Sequence, residues 1–354
     1  MTRNITLLLA ALALAGPASG SAQSTAERDR ERDRERIEAE KERERDRLEA
    51  IRERAREARD RAVERAGRAR EREQERHERE LAGTLDTVLA FDAHGTVTVS
   101  CTGGAVVVRG GPANEIRVHA RTESGAIRFS SSATRATLEP ASGRGCSDGR
   151  FEITVPAGTR LDASTRSGSL DIRGVRGEIE ARSQSGNIDV RDAGDRLSVE
   201  TLSGDATVTN VQGEARINTV SGDLHLSGAR GDVDVETVSG DLGLADIIAR
   251  VVRTHTVSGD ISFAGSITNG GRYEFETHSG EIELHLAPDV GAELTVSTYS
   301  GSIDSEFPIT LKAGDHTIGM AQAKKLAFTL GKGSARITAE TFSGDITLVS
   351  SRRP

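Results

Sequence analysis

The chain has no tryptophan, two tyrosines and eight phenylalanines in 354 residues. Aromatic platforms for stacking nucleobases are therefore scarce, and the formal charge of -8 supplies no basic field for a phosphate backbone. Nucleic acid is excluded as a partner on both grounds. Beyond the first few residues no apolar run approaches the ~20 residues needed to span a bilayer, so no transmembrane anchor is expected. Histidines are few, and His225, His255, His278 and His285 show no metal-motif spacing, so neither a zinc site nor any other cofactor is expected. Cysteine occurs twice, at Cys101 and Cys146. An even count in an exported chain points to a disulfide; two buried thiols are the alternative, and spacing does not separate them.

What is present falls into three segments. Residues 1–22 read as a signal peptide: Arg3, then the apolar run Ile5 to Ala15, then Gly20 and Ala22 at the small-residue positions before a cleavage point. No cysteine follows it for a lipid anchor, so the mature protein is expected outside the cytoplasm, in the periplasm or at the cell surface. Residues 23–82 carry 20 basic and 20 acidic side chains, no proline, and mostly helix formers, which predicts a charged helix or coiled-coil-like linker. Leu48, Ile51, Ala55, Ala58 and Ala62 follow a 3,4,3,4 spacing, a narrow seam through which residues 37–69 could associate as a coiled-coil oligomer. A solvated spacer is the blander reading.

Residues 83–354 are a repeat domain. A series of Ser-Gly pairs begins at Ser167, Ser185, Ser203, Ser221 and Ser239, 18 residues apart, and continues at Ser258, Ser279, Ser300 and Ser343. A period near 20 marks units too small to bury a core alone. In Ser221 to Val238, each nine-residue half opens Gly-Asp and then alternates apolar and polar residues. Leu224 and Leu226 face one way, as do Val233 and Val235, and neighbouring units repeat the pattern. Glycine at each opening suits a positive-φ corner. The expected fold is all-β: a parallel β-solenoid of about 18-residue, two-strand coils, preceded by the charged helix. The interval of 43 residues before Ser343 leaves room for two coils. The terminal Ser351-Arg-Arg-Pro354 would blunt one open edge, with the charged helix as a cap at the other.

The run Phe151-Glu-Ile-Thr-Val-Pro156-Ala-Gly158, then Leu161-Asp-Ala-Ser-Thr165-Arg-Ser-Gly168, then Thr-x-Ser-Gly at regular spacing, resembles the bacterial putative-adhesin β-strand-repeat family. The similarity runs from about Leu85 to Val349 and takes in Thr298-Tyr-Ser-Gly301. It implies an exported, non-catalytic solenoid from a family of largely unknown function. The charged rod is not part of that pattern.

Two columns of the repeat invite a functional reading. Asp205, Asp223, Asp241 and Asp260 follow successive Ser-Gly pairs and could form a calcium ladder. The glycine-rich calcium-roll motif is absent, however, which favours aspartate serving the turn through local hydrogen bonds. The residue between Thr and Ser is Leu202, Val220, Val238 and Val257, then His278, Tyr299 and Phe342. If Thr201, Thr219 and Thr237 point inward these form an outward apolar stripe; if the corner bends they are core. The expected partner is a cell-envelope or surface component, or a second copy. A carbohydrate-active enzyme on a β-helix scaffold is the alternative, but almost every carboxylate here belongs to a repeated column, which singles out no catalytic pair.

Overall fold

The structure is a computed structural model. It describes residues 84–122, 127–141, 146, 148–308 and 324–351, with six isolated positions in the charged segment. The chain divides into two units, Met1–Gln74 and Glu75–Pro354. In the first, Glu53, Arg56, Arg59, Arg61, Val63 and Glu64 are helical and exposed. The signal peptide and the rest of the charged segment lie outside the described residues. The long helix expected over 23–82 is therefore not shown.

The second unit is all-β. Alternating apolar side chains make each strand two-faced, and 18-residue periodicity lets equivalent strands pair in parallel. The central coils are β8 (Arg160–Thr165) with β9 (Ser169–Arg173), β10 (Ile179–Ser183) with β11 (Ile188–Ala193), β12 (Arg196–Ser203) with β13 (Ala206–Val211), and β14 (Glu214–Ser221) with β15 (Leu224–Ala229). Next come β16 (Val233–Ser239) and two long strands that each serve both faces, β17 (Leu242–Ser258) and β18 (Ile261–Ser279). Registers are strict: Ile179 pairs with Leu197, Leu197 with Ala215, and Ala215 with Val233. On the other face Ile188 pairs with Ala206, Ala206 with Leu224, and Leu224 with Leu242. All of these side chains are buried, in one continuous aliphatic core between two ladders.

Both ends depart from sequential stacking. At the C-terminal end the remaining strands are β19 (Ile282–Leu286), β20 (Ala292–Ser300), β21 (Ile303–Ser305), β22 (Lys324–Leu330), β23 (Ala335–Ser343) and β24 (Ile346–Ser350). The last coil, β23–β24, lies between its predecessors: β18 pairs with β23 and β23 with β20, while β19 pairs with β24 and β24 with β21. The 43-residue interval contains no further parallel coil among the described residues; β22 runs antiparallel along β20. The final strand is thus interior, and Ser351 to Pro354 do not follow an edge strand as expected. The outer strands there are β22 and the three-residue β21.

The N-terminal end mirrors this. Its strands are β1 (Thr84–Ala90), β2 (Thr96–Cys101), β3 (Ala105–Gly111), β4 (Glu115–Arg121), β5 (Ile127–Ser131), β6 (Arg135–Pro140) and β7 (Arg150–Pro156). Coil β2–β3 sits between β6–β7 and β8–β9. Antiparallel strands finish the stack, β5 on β6 and β1 on β4, which itself runs antiparallel to β7. Short or reversed outer strands limit edge-to-edge growth.

The two corners of each coil differ. At the Ser-Gly corner, Gly240 has φ +142°, and a Cβ there would overlap the carbonyl oxygen of Gly222 on the preceding coil. That close approach explains the Ser-Gly period. At the opposite corner the openers Gly213 and Gly231 are not the positive-φ positions the sequence suggested. The left-handed residues are Gly174, Asp192, Asn210, Gly228 and Asp246. Asp and Asn tolerate that region, so no constant glycine marks the turn.

Candidate functional site: an outward ladder with acidic flanks

The ladder follows from strand alternation at Thr-x-Ser-Gly. Thr201, Thr219, Thr237, Thr256, Thr277, Thr341 and Thr298 stack in register and are buried. Thr277, Thr341 and Thr298 donate their hydroxyls to glycine carbonyls of adjoining coils: Gly259 at 3.2 Å, Gly280 at 3.2 Å and Gly344 at 2.9 Å. In the earliest coils the hydroxyl instead accepts, from Gly168 N–H to Thr165 and from Gly186 N–H to Ser183. From Gly204 onward that N–H goes to a serine carbonyl on the next coil, as Gly204 to Ser221 at 3.1 Å and Gly222 to Ser239 at 3.2 Å.

The residue after each threonine points outward. Leu202 is 54% exposed, Val220 44%, Val238 49% and Val257 42%. Because β23 intercalates before β20, the column continues His278, Phe342, Tyr299 rather than in chain order. The three rings stack: His278 on Phe342 at 4.9 Å and 8°, Tyr299 on Phe342 at 4.8 Å and 5°. Seven rungs at strand spacing make a ridge ~29 Å long. Its first rungs border a shallow concavity of about 480 Å³ lined by Arg182, Gln184, Glu200, Leu202, Asn218 and Val220.

Carboxylates flank it. Two residues before the ridge stand Glu200, Asn218, Glu236, His255, Glu276 and Glu340; three residues after it stand Asp205, Asp223, Asp241, Asp260, Glu281 and Asp345. Neither column holds a lysine or arginine over these rungs. The aspartates do not bond within their own turn, as the sequence suggested, but between coils. Asp223 N–H donates to Asp205 at 3.1 Å, Asp241 to Asp223 at 3.0 Å, Asp260 to Asp241 at 3.0 Å and Glu281 to Asp260 at 2.8 Å. At the last rung Ser302 N–H bonds Asp345 at 2.6 Å, and with the Ser302 hydroxyl it holds that carboxyl below the usual range. Each bond engages one carboxylate oxygen and the side chains stay exposed, so the column is both a strut and a line of negative charge. Among the described residues no group of three or more His, Cys, Asp or Glu is placed to hold a metal.

A second concavity, about 390 Å³, is lined by Asp171, Asn187, Asp189, Asp205, Thr207 and His225. Arg173 grips Asp171 at 2.5 and 2.6 Å, and Arg191 grips Asp189 at 2.6 and 2.9 Å. These carboxylates are repeated and forked to arginine, which leaves no distinct acid–base pair. Cys101 and Cys146, 45 residues apart in sequence, are buried against one another as thiols. The hydrogen bond with Cys146, then burial, pushes the Cys101 thiol well above its ordinary range. No helix among the described residues is long and apolar enough to cross a membrane.

Two stacked parallel ladders around an aliphatic core, carrying a ridge at one corner, define a β-solenoid. The chain belongs to the Toastrack DUF4097 family, whose model matches residues 113–349. That is a family of unknown function, in agreement with the resemblance to β-strand-repeat proteins. No curated protein matches the chain. Similar solved structures include a putative adhesin from Bacteroides fragilis (9% identity, 76% of this chain and 98% of that one, TM-score 0.38). Another is a putative lipid binding protein from Parabacteroides distasonis (12%, 76% and 97%, TM-score 0.42). A third is a putative cell adhesion protein from Clostridium sporogenes (11%, 76% and 100%, TM-score 0.18). At these TM-scores they bear on neither the fold nor the function of this chain.

Proposed function

We propose that the chain is an exported, non-catalytic interaction protein that binds a component of the cell envelope or surface, or a second copy, along the ladder from Leu202 to Tyr299. The observation that carries this is the contiguous outward ridge: seven large side chains in register, where a merely structural corner needs only small polar ones. Soluble surfaces rarely expose contiguous apolar patches without a partner. Export rests on the signal-like residues 1–22 and the even cysteine count. A carbohydrate-active enzyme would need two carboxylates in distinct environments. The candidates in the concavities are instead periodic and engaged by arginine or backbone N–H, which favours binding over catalysis.

The test replaces Val220→Lys with Val238→Lys in the full chain. Both side chains are about half exposed, so the thermal melt should move by no more than a few degrees. Co-sedimentation with the envelope fraction of the native cells, or self-association by light scattering, should fall sharply. A double variant that fails to fold, or that keeps both activities of the parent, would sink the reading.

A further inference from the structure

We propose that the ladder receives an amphipathic helix of a second molecule, whose apolar ridge is edged on both sides by arginine or lysine. This deepens the reading of the ladder as an interaction surface and rests on it. Four features of the site narrow the partner.

The first is step length. Rungs recur at ~4.8 Å along an in-register, single-residue ridge. A helix with apolar residues every 3.5 positions advances ~5.3 Å per residue of its own ridge, and so keeps step over four or five rungs. Same-face residues of an extended strand recur at ~6.7 Å and fall out of step after one or two. The second is charge. Glu200, Asn218, Glu236, His255, Glu276 and Glu340 run along one side, and Asp205, Asp223, Asp241, Asp260, Glu281 and Asp345 along the other, with no lysine or arginine in either column. Arg182 lies 3.5 Å from Glu200 and His255 3.4 Å from Glu276, so the second column is the more strongly acidic edge. A partner must bring positive charge to both edges, which disfavours anionic lipid. The third is ring orientation. His278 and Tyr299 stack on the two faces of Phe342 at 4.9 and 4.8 Å, so both faces of the central ring and one face of each outer ring are already taken, which disfavours stacking by a sugar ring.

The fourth comes from the chain's own sequence, which contains such a ridge. Leu48, Ile51, Ala55, Ala58 and Ala62 are bordered by Arg47, Arg54 and Arg61 on one side and by Arg52 and Arg59 on the other. Two copies of that seam would set arginine against arginine at every flanking position, parallel or antiparallel. It is poorly suited to the homomeric coiled coil suggested by apolar spacing alone, and well suited to an acid-edged apolar surface. Residues 41–66 are therefore the natural probe.

The experiment titrates full-chain protein into a fluorescent peptide of residues 41–66 and follows anisotropy. Saturable binding is expected, weakening with added salt. It should fall ~10-fold or more in each of three variants. One is a peptide with Arg47, Arg52, Arg54, Arg59 and Arg61 replaced by Glu. The second is a peptide with Leu48→Ser and Ile51→Ser, which keeps its charge. The third is protein carrying Val220→Ser with Val238→Ser, checked by melting to be folded. Equal binding by the serine peptide, or by the serine protein, would reduce the effect to unspecific attraction and overturn the proposal. Equal binding by the Glu-edged peptide overturns the charge argument. If the peptide fails to bind while the envelope fraction is still captured through the ladder, the helix assignment falls and the ladder reading stands. If neither binds, both fall.

Discussion

Val235 and Val238 lie three residues apart on β16, yet opposite fates are expected for an aspartate at each. Val235 is fully buried and stacks between Ile217 and Thr254. Val235→Asp removes an apolar side chain worth ~2 kcal/mol and places a carboxyl where no cation can reach it. The group escapes ionisation by keeping its proton. Raising its pKa from ~4 to 7 or beyond costs ~4 kcal/mol at pH 7. The total, ~6 kcal/mol, corresponds to a fall in melting temperature of ~12–24 °C for a domain of this size. The pH dependence has a fixed sign. Below ~4 the carboxyl is protonated folded and unfolded alike, so only the ~2 kcal/mol packing loss remains. As pH rises from there toward the raised folded-state value, the unfolded chain ionises and the folded one does not, and the deficit grows. Val238→Asp, on a side chain half exposed, should shift the melt by ~0.5 kcal/mol or less. Circular dichroism melts of the full chain at pH 4 and pH 7, with Val235→Ala as the packing reference, supply the comparison. If Val235→Asp melts with Val235→Ala at pH 7, or if Val238→Asp costs as much, the inward and outward columns have been assigned wrongly.

Two further outcomes follow from the coil order and the thiol pair. Truncation after Leu330 should strip hydrogen-exchange protection from residues 303–305 as well as removing the last coil, because β24 is the strand paired with β21, whereas β20 keeps β22 as a partner. Protection retained over 303–305 would mean that the coils stack in chain order. Protein recovered from an oxidising compartment should carry Cys101 and Cys146 bonded, since they lie buried side by side. The bond would constrain the unfolded chain by ~4 kcal/mol. Mass spectrometry finding two alkyl groups added under denaturing, non-reducing conditions would show the thiols free.

Much of this architecture was legible before any coordinates. Alternation at Leu224 and Leu226, or at Val233 and Val235, is a local property: it sets which face of a strand can be buried, and an 18-residue period lets like faces pair. The Ser-Gly pairs were legible too, because glycine is demanded wherever one backbone crosses close above another. The second corner was not, since Asp192, Asn210 and Asp246 adopt its left-handed turn beside Gly174 and Gly228, and a conformation shared by three residue types leaves no constant letter. Nor was the direction of the Asp205 to Asp260 bonds, because an aspartate serving its own turn and one reaching the next coil have the same spacing. The order of the end coils lay furthest from reach. Every coil presents the same alternating pattern, so pattern alone cannot say which coil stacks on which. Pairing Ser279 with Ser343, and Ser343 with Ser300, is a long-range choice made by the packed chain. It is that choice which puts Phe342 between His278 and Tyr299 and turns three scattered aromatics into the end of one ladder.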